Sequence, residues 1–207
     1  MDLRTLCRGN PGGLCSPSLQ VNLSTITMQH STQTLALGAG CFWCSESVYL
    51  QVRGMQLVES GYCNGQLPNP TYDDVCTGTS GHNEVVKLEF DTSVISVREV
   101  LEIFFLIHDP TTLNRQGHDV GTQYRSGIYC TTPEQLEVAQ TLVAEVKASG
   151  VYADPIVTEV QMLKNYARAE EYHQNFFARN PTQGYCVAVA APKVAKFRKT
   201  FARLAKA

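Results

Sequence analysis

From residue 34 onward, the chain alternates between short apolar stretches and amphipathic segments separated by polar loops. Continuous or alternating apolar runs predict strands, whereas apolar residues spaced three and four apart predict helices. Strands are predicted at residues 34–37, 56–59, 84–90, 126–130 and 156–160, and a strand or an extended cover at residues 185–190. Helices are predicted at residues 41–51, 97–108, 133–149 and 165–179.

The order of these elements indicates the fold class. They run β-α-β-β-α-β and then α-β-α, and the first six match a split βαβ plait. We therefore expect an α+β protein with a ferredoxin-like split βαβ plait. In this two-layer arrangement, helices pack on a mixed sheet and a C-terminal extension follows.

Residues 1–33 differ in composition from the rest of the chain. They contain glycine, proline and many polar residues without a clear period, so we expect a weakly ordered N-terminal extension. Residues 34–207 are expected to form a single catalytic domain. Within it, residues 63–82 and 111–122 are long polar loops, and loops of that length are usually functional. We expect both loops to meet near Cys41, at the start of the first helix.

Composition and charge exclude several classes of protein. Hydrophobic residues make up 43% and charged residues 17% of the 207 residues, which is typical of a globular chain. The net charge of -2 leaves no basic excess to hold a phosphate backbone, so nucleic-acid binding is disfavoured. The longest uncharged apolar run, residues 185–191, is far too short to span a membrane.

The chain contains eight cysteines, and their number bears on the cellular compartment. Because no secretory signal is recognisable at the start, we expect the reducing cytoplasm and mostly free thiols. Several residues of reactive type are interpreted as structural or as part of the extension: Cys63, Cys76, Cys130 and His173 as structural, and Cys7 and Cys15 as extension residues.

The segment Gly40-Cys41-Phe42-Trp43-Cys44 carries the strongest chemical signal. A glycine turn after a strand places Cys41 at a helix N-terminus, where free N–H groups and the helix dipole should lower the thiol pKa. Phe42 and Trp43 would form an apolar wall suited to a methyl or thioether group. Cys44 follows one turn later and could close a disulfide with Cys41.

Three other interpretations also fit parts of this segment. It could be a buried helix start with two core aromatic residues. It could be a thioredoxin-like redox centre, although the bulky Phe-Trp pair between the cysteines argues against one. It could be half of a zinc site, but no second Cys-x-x-Cys or His-x-x-x-His completes one, so we expect no metal.

The two long loops supply further candidates. Glu84 enters a strand directly after Gly81-His82-Asn83, and burial beside aromatic walls would raise its pKa and keep it protonated as an acid. His82 could orient it; the alternative is a solvated carboxylate at a strand start. Tyr72 in the first loop offers a neutral donor, and the second loop contributes Asp119 and Tyr124.

Five motifs occur together in one order, and together they are specific. From about Thr34 to Phe201 the chain closely resembles the peptide-methionine (S)-S-oxide reductases, the A-type methionine sulfoxide reductases. The motifs are Gly40-Cys41-Phe42-Trp43, Asn69-Pro70-Thr71-Tyr72, Gly81-His82-Asn83-Glu84, Gly121-Thr122-Gln123-Tyr124-Arg125-Ser126 and Ala169-Glu170-Glu171-Tyr172-His173-Gln174.

The resemblance implies an enzyme that reduces the S epimer of methionine sulfoxide in proteins, with the free amino acid as a further candidate substrate. Cys41 would attack the sulfoxide sulfur as a thiolate, Phe42 and Trp43 would hold the methyl group, and protonated Glu84 would act as acid. Cys41 would become a sulfenic acid and then part of a disulfide that thioredoxin reduces. No bound metal or organic cofactor is implied.

The resemblance also assigns supporting roles. Tyr72 and Tyr124 would help to bind the sulfoxide oxygen, and Asp119 would order its loop and a water molecule. Cys44, where many relatives have glycine, is the favoured resolving thiol. Cys186, in Gly184-Tyr185-Cys186, is the alternative, but an apolar segment follows it rather than a glycine-rich mobile tail.

Two competing functions remain open at this point. A general dithiol–disulfide oxidoreductase would use Cys41 and Cys44 without needing Glu84. A non-catalytic module would bind oxidised methionine without recycling. The expected partners are oxidised methionine-containing proteins and peptides together with thioredoxin, with no nucleic acid and no membrane, and we expect a monomer.

Overall fold

The computed structural model describes residues 31–207, in which strands and helices alternate along the chain. The strands are β1 (Thr32–Ala39), β2 (Met55–Cys63), β3 (Asn83–Asp91), β4 (Arg115–Gln116), β5 (Asp119–Val120), β6 (Ser126–Cys130), β7 (Glu159–Met162) and β8 (Ala167–Arg168). The α-helices are α1 (Phe42–Tyr49), α2 (Tyr72–Cys76), α3 (Val97–Ile107), α4 (Pro133–Ser149), α5 (Phe176–Arg179) and α6 (Ala191–Thr200).

Six strands form one mixed sheet in the order β7-β6-β1-β3-β2-β8. Strand β3 pairs antiparallel with both β1 and β2. Strands β1 and β2, which precede and follow α1 in the chain, therefore run parallel to each other with β3 between them. Strand β6 is antiparallel to β1 and parallel to β7. The predicted α+β class with a mixed sheet and packed helices is confirmed, whereas the ferredoxin-like designation stays a prediction.

The main core lies between this sheet and the helices. Helix α3 begins with a capping box in which Ser96 and Glu99 bond each other's backbone N–H groups, and it buries an apolar face that includes Leu101 and Phe104. That face packs with Leu37 and Leu88 of the central strands in one contiguous cluster. The sequence pattern predicted this helix because the cap and the apolar spacing agree.

The C-terminal part departs from the prediction in two places. The helix predicted at residues 165–179 is wrong: the chain forms β8, a 3-10 turn at Glu171–His173 and the short α5. Asn165 and Asn175 adopt left-handed backbone conformations, and the Gln174 amide bonds both the N–H and the C=O of Ser60. These contacts with β2 replace the hydrogen bonds of a continuous helix.

The strand or extended cover predicted at residues 185–190 is also wrong. Cys186–Ala190 forms a π-helical turn that continues directly into α6. Its apolar residues lie on a helix that packs against α1, which explains why an apolar run here resembles a strand in the sequence.

Two further findings concern the start of the described chain and the character of its helices. Strand β1 begins at Thr32, two residues before the predicted strand, and Cys7 and Cys15 lie outside the described residues together with most of the predicted extension. Within residues 31–207, no helix has the length and apolar character that a membrane span requires.

Candidate active site

The turn between β1 and α1 places Cys41 at the centre of the site. Gly40 has a positive φ of 81°, and a Cβ there would lie 2.5 Å from the Gln116 Cβ, so glycine is required. Cys41 is the residue that caps α1, and only 9% of its surface is exposed. The tight turn therefore sets the thiol at a helix start, as the sequence predicts.

A small pocket opens over Cys41. Its volume is about 190 Å³. The pocket brings together seven of the residues that the sequence singles out and adds one that it does not, Tyr185. Its lining consists of Cys41, Phe42, Trp43, Tyr72, Glu84, Asp119, Tyr124 and Tyr185.

Aromatic rings form one side of the pocket. The Trp43 ring stacks on Phe176 at 3.7 Å between centroids, and its Nε1–H donates to Nδ1 of His173 at 3.1 Å. The His173 ring lies 4.9 Å from that of Phe42 and 4.6 Å from that of Tyr72. His173 thus holds the aromatic wall in place, which agrees with the structural role expected for it.

Glu84 lies opposite this wall, on the second residue of β3. It is only 1% exposed, and its carboxylate oxygen accepts the Phe42 backbone N–H at 3.3 Å. Burial, together with the charges of Asp119 and Cys44, raises the pKa of Glu84 to about 8, despite the Phe42 hydrogen bond. The carboxyl group is therefore protonated at neutral pH, and the raised pKa agrees with the prediction.

Two tyrosines project into the pocket from the long loops. Tyr72 starts α2, and its backbone N–H donates to the Glu170 carboxylate at 2.8 Å, which also accepts the Tyr62 hydroxyl at 3.0 Å. Tyr124 ends the 3-10 turn that follows Gly121. Burial raises the pKa of Tyr72 and of Tyr124 well above the ordinary value, so both hydroxyls stay protonated donors.

Tyr185 connects the C-terminal segment to the thiols. Its hydroxyl donates to the Asp119 carboxylate at 2.8 Å and accepts a hydrogen bond from the Cys44 thiol at 3.6 Å. Its ring lies edge-on to Trp43 at 6.0 Å. The sequence offered no motif for Tyr185 beyond its place beside Cys186.

The two thiols at the start of α1 have opposite pKa shifts. Burial raises the pKa of Cys41 well above its ordinary value, and neighbouring Cys44 and Glu84 add to this effect. The prediction of a lowered Cys41 pKa is wrong, because loss of solvation outweighs the dipole of an eight-residue helix. The pKa of Cys44 falls to about 7, mainly because Cys41 donates a hydrogen bond to it.

The comparisons with known proteins identify the family. A model described as peptide methionine sulfoxide reductase matches residues 33–205. The chain belongs to the peptide methionine sulfoxide reductase family. This reductase is 55% identical over 168 residues to peptide methionine sulfoxide reductase MsrA of Polynucleobacter asymbioticus, across 81% of this chain and 88% of that protein.

Solved structures give the same result for the reductase. Mxr1 from Saccharomyces cerevisiae in reduced form matches with a TM-score of 0.68 and 33% identity, over 75% of this chain and 89% of that one. Methionine sulfoxide reductase A of Corynebacterium diphtheriae matches with a TM-score of 0.66 and 33% identity, over 86% and 89%. The reductase is thus an oxidoreductase that acts on methionine sulfoxide, as the motifs predicted.

His82 is a predicted site residue of the reductase that lies apart from the pocket. His82 is buried, but its Nε2–H donates to the Leu67 carbonyl at 2.8 Å, and its backbone N–H bonds the Ser80 hydroxyl. It therefore holds the first long loop closed and does not line the pocket. The expectation that His82 orients Glu84 or contacts substrate is not supported by this placement, because the ring faces the loop.

The remaining cysteines of the reductase lie outside the pocket. Cys186 is buried in the π-helical turn, and its thiol donates to the Gln183 side chain at 3.6 Å. Cys63 and Cys130 are buried in strands, whereas Cys76 is exposed on α2. Within residues 31–207, no cluster of three or more His, Cys, Asp or Glu side chains could hold a metal ion.

Sequence reasoning missed several residues that position the reductase site. Glu46 of α1 is buried and accepts the backbone N–H groups of Asn175 and Phe176 at 2.7 and 3.1 Å. Glu170 supports Tyr72 in a similar way. An acidic residue on the buried face of α1 was the one signal that could have revealed Glu46, whereas Phe176 carries no signal beyond its apolar character.

Proposed function

We propose that this reductase converts the S epimer of methionine sulfoxide in proteins to methionine, with the free amino acid as a further candidate substrate. The observation that carries the proposal is the buried Glu84 carboxyl group, which lines the same small pocket as the Cys41 thiol and the aromatic wall. Burial raises its pKa to about 8, which favours the protonated form at neutral pH. One group can donate a proton to the sulfoxide oxygen while the other attacks sulfur.

The shape of the pocket supports selectivity for one epimer. Sulfoxide sulfur carries a methyl group, an oxygen and the remainder of the side chain. We place the methyl group against Phe42 and Trp43, and the oxygen among the donors Glu84, Tyr72 and Tyr124. With the methyl group and the oxygen held in these positions and Cys41 next to the sulfur, only one epimer directs the rest of its side chain towards the pocket opening.

The reducing step breaks the S–O bond of the substrate and oxidises the Cys41 sulfur. Cys41 attacks the sulfoxide sulfur, and a bond forms between the two sulfur atoms while the substrate S–O bond breaks. The oxygen takes the Glu84 proton and the Cys41 proton and leaves as water. Water then attacks the Cys41 sulfur, the sulfur–sulfur bond breaks, and methionine leaves. Cys41 becomes a sulfenic acid, and the released proton returns to Glu84. Asp119 accepts from Tyr185 and would thereby order its loop and a site water. The substrate gains two electrons and Cys41 loses two.

We propose Cys44 as the resolving thiol. Its pKa of about 7 leaves about half of it ionised at neutral pH, and it lies one turn from Cys41. Its attack on the sulfenic acid forms the Cys41–Cys44 disulfide and releases water. Thioredoxin would then reduce this disulfide by thiol–disulfide exchange. Cys186 is the weaker candidate because burial raises its pKa, so less of this thiol is ionised at neutral pH.

The proposal extends to the partners, the oligomeric state and the compartment of the enzyme. Oxidised methionine-containing proteins and thioredoxin are the proposed partners, and the enzyme is proposed to act as a monomer without a bound cofactor. The six cysteines at positions 41 to 186 in the described part are all free thiols, which supports a reducing compartment, the cytoplasm. Residues 34–207 are proposed to form a single catalytic domain.

The deciding experiment is turnover of the separate S and R epimers of a blocked methionine sulfoxide with excess dithiothreitol. We expect many turnovers on the S epimer and none on the R epimer. One turnover per protein molecule would instead indicate a binding module without recycling. Disulfide reduction without sulfoxide reduction would indicate a general dithiol–disulfide oxidoreductase.

The resolving thiol is tested with thioredoxin as reductant. We expect Cys44→Ser to produce about one methionine per enzyme in the first turnover and then to stop, with a sulfenic acid that a dimedone probe labels on Cys41. The matched variant Cys186→Ser is expected to keep full turnover. The reverse pattern would assign resolution to Cys186.

A further inference from the structure

Cys44 needs a route for its proton before it can attack the Cys41 sulfenic acid. Only 1% of its surface is exposed, and every other residue of α1 except Trp43 is buried, so solvent has little access to the thiol. In the resting enzyme, a hydrogen bond from the Cys41 thiol lowers the pKa of Cys44. The first step of the reaction consumes the Cys41 proton, so this hydrogen bond is lost before Cys44 reacts. Another group must then accept the Cys44 proton.

The Cys44 thiol already donates to a group that can pass a proton on. Its Sγ–H donates to the Tyr185 hydroxyl at 3.6 Å, and the same hydroxyl donates to an Asp119 carboxylate oxygen at 2.8 Å. A hydroxyl has one hydrogen, and here the carboxylate receives it, so the Tyr185 oxygen acts as the acceptor for the thiol. The three groups form a continuous hydrogen-bonded chain in which each donor points away from Cys44 and towards Asp119.

Tyr185 is suited to pass a proton on and not to act as a base itself. Burial and the neighbouring Cys41 and Cys44 thiols raise the pKa of Tyr185 well above its ordinary value, so its hydroxyl stays protonated. It can therefore release its proton to Asp119 only while it takes up the proton of Cys44. Its ring lies edge-on to Trp43 at 6.0 Å between centroids, and this contact helps to fix the hydroxyl between its two partners.

The far end of this chain lies in the pocket where a proton is needed. Asp119 and Tyr185 line the catalytic pocket together with Cys41. When Cys44 attacks the Cys41 sulfenic acid, the oxygen on Cys41 must take up a proton to leave as water. A proton that moves from Cys44 to Asp119 stays inside the pocket and is available to that oxygen.

We propose that Tyr185 and Asp119 form a proton relay for the resolving step. As the Cys44 sulfur attacks the Cys41 sulfur, the Cys44 proton moves to Tyr185 and the Tyr185 proton moves to Asp119. The sulfur–sulfur bond forms and the S–O bond of the sulfenic acid breaks, so Cys44 is oxidised and the Cys41 sulfur is reduced. Asp119 gives its proton to the departing oxygen, which leaves as water, and both relay groups return to their starting states. This inference rests on the proposed function, in which Cys44 is the resolving thiol.

The test separates the two steps within a single turnover and without an added reductant. Enzyme is mixed with one equivalent of the S epimer of N-acetyl-methionine sulfoxide, and samples are quenched in acid at intervals. The amount of N-acetyl-methionine reports the first step, and mass spectrometry of the alkylated protein reports the Cys41–Cys44 disulfide. We expect Tyr185→Phe to slow the conversion of sulfenic acid to disulfide by roughly 10²-fold, a usual contribution of proton transfer, and to slow N-acetyl-methionine formation far less. A dimedone probe should then label the sulfenic acid that accumulates on Cys41.

The matched control is Tyr124→Phe, which removes a hydroxyl from the same pocket but not from the relay. It should give the opposite pattern, with slow formation of N-acetyl-methionine and no accumulation of sulfenic acid. Asp119→Asn provides a second variant of the relay, because the amide oxygen still accepts the Tyr185 hydrogen bond but is a far weaker base than a carboxylate. Sulfenic acid should accumulate in Asp119→Asn as it does in Tyr185→Phe.

The relay would be overturned if sulfenic acid became disulfide as fast in Tyr185→Phe as in the wild type, or if both steps slowed equally. A wild type that formed N-acetyl-methionine but no Cys41–Cys44 disulfide would overturn the assignment of Cys44 and the relay with it. Absence of N-acetyl-methionine in the wild type would instead contradict sulfoxide reduction itself, so the two failures are distinguishable.

Discussion

The Glu84 carboxyl group can serve as an acid only while it keeps its proton, and its pKa of about 8 sets that range. We predict that single-turnover methionine formation by the wild type falls as pH rises above about 8, because ionised Glu84 can no longer protonate the sulfoxide oxygen. Glu84→Gln should lower the rate by roughly 10² to 10⁴, the usual contribution of a general acid.

The measurement is the rate of methionine release from pH 5.5 to 9.5 in both proteins. The glutamine variant should lose the decline above pH 8 along with most of its activity. If the same decline remained in Glu84→Gln, another group would be responsible for it, and Glu84 would not be the acid.

Glu84 and Cys41 differ in how far the sequence predicted their chemistry. The raised pKa of Glu84 could be anticipated because a glycine-containing loop leads it into a strand beside aromatic residues. The raised pKa of Cys41 could not be anticipated, because it comes from burial in the folded chain, from Cys44 and from Glu84, which lies 43 residues away in the chain. The hydrogen bond from Tyr185 acts in the opposite direction. Local sequence signals predict the position of a residue within an element. The solvation of its side chain, however, depends on segments that are distant in the chain.

Between elements, Glu46 fixes α5 against α1. Its carboxylate accepts two backbone N–H groups, from Asn175 and Phe176, and the Phe176 ring stacks on Trp43 at 3.7 Å. A buried carboxylate with two N–H donors is well satisfied, although burial still raises the pKa of Glu46. The position of Trp43 in the aromatic wall therefore depends on a residue that does not touch the pocket.

We predict that Glu46→Ala raises KM several-fold with a smaller effect on kcat, because Phe176 no longer holds Trp43 against the substrate methyl group. The loss of two hydrogen bonds to a charged group should also lower the free energy of unfolding by about 1 to 3 kcal/mol. Trp43 is the only tryptophan, so its fluorescence reports the change directly. Glu46→Gln keeps an acceptor and should restore part of both properties. Unchanged emission and KM in Glu46→Ala would mean that Phe176 is held by other contacts.

The same region shows why some elements were predictable and others were not. Helix α3 combines a capping box with a regular apolar face, so local and tertiary preferences agree. Residues 165–179 have helical spacing, yet Asn175 turns to φ 51° and the Gln174 amide bonds β2. Contacts with a strand more than 100 residues earlier decided that segment, and no local pattern records them.

Over the whole molecule, the site assembles from two strands of the six-stranded sheet and from the separate two-stranded hairpin. The end of β1 supplies Cys41, the start of β3 supplies Glu84, and the hairpin of β4 and β5 supplies Asp119. The sequence predicted the two loops that converge on Cys41, because both are too long and polar to be simple connections. Because Glu84 is buried at the centre of this assembly, its protonation also affects the free energy of unfolding.

Glu84 binds its proton more tightly in the folded state than in the unfolded state, where the pKa of glutamate is about 4.3. Its contribution to stability is therefore fully present below pH 4.3 and is lost as pH rises towards 8. Because the carboxyl group is completely buried, this loss should reach roughly 3 to 4 kcal/mol between pH 5 and pH 8.

We predict that Glu84→Gln, which cannot ionise, escapes this loss. Its free energy of unfolding in urea should be close to that of the wild type at pH 5 and higher by roughly 3 kcal/mol at pH 8. The difference between the two proteins isolates Glu84, because both share every other titrating group. A difference that did not grow with pH would show that the carboxyl group ionises freely in the folded protein, which is incompatible with its role as a buried acid. If the prediction holds, the glutamine variant is less active but more stable at pH 8, because the wild type must lose the proton of a buried carboxyl group at a cost to the folded state.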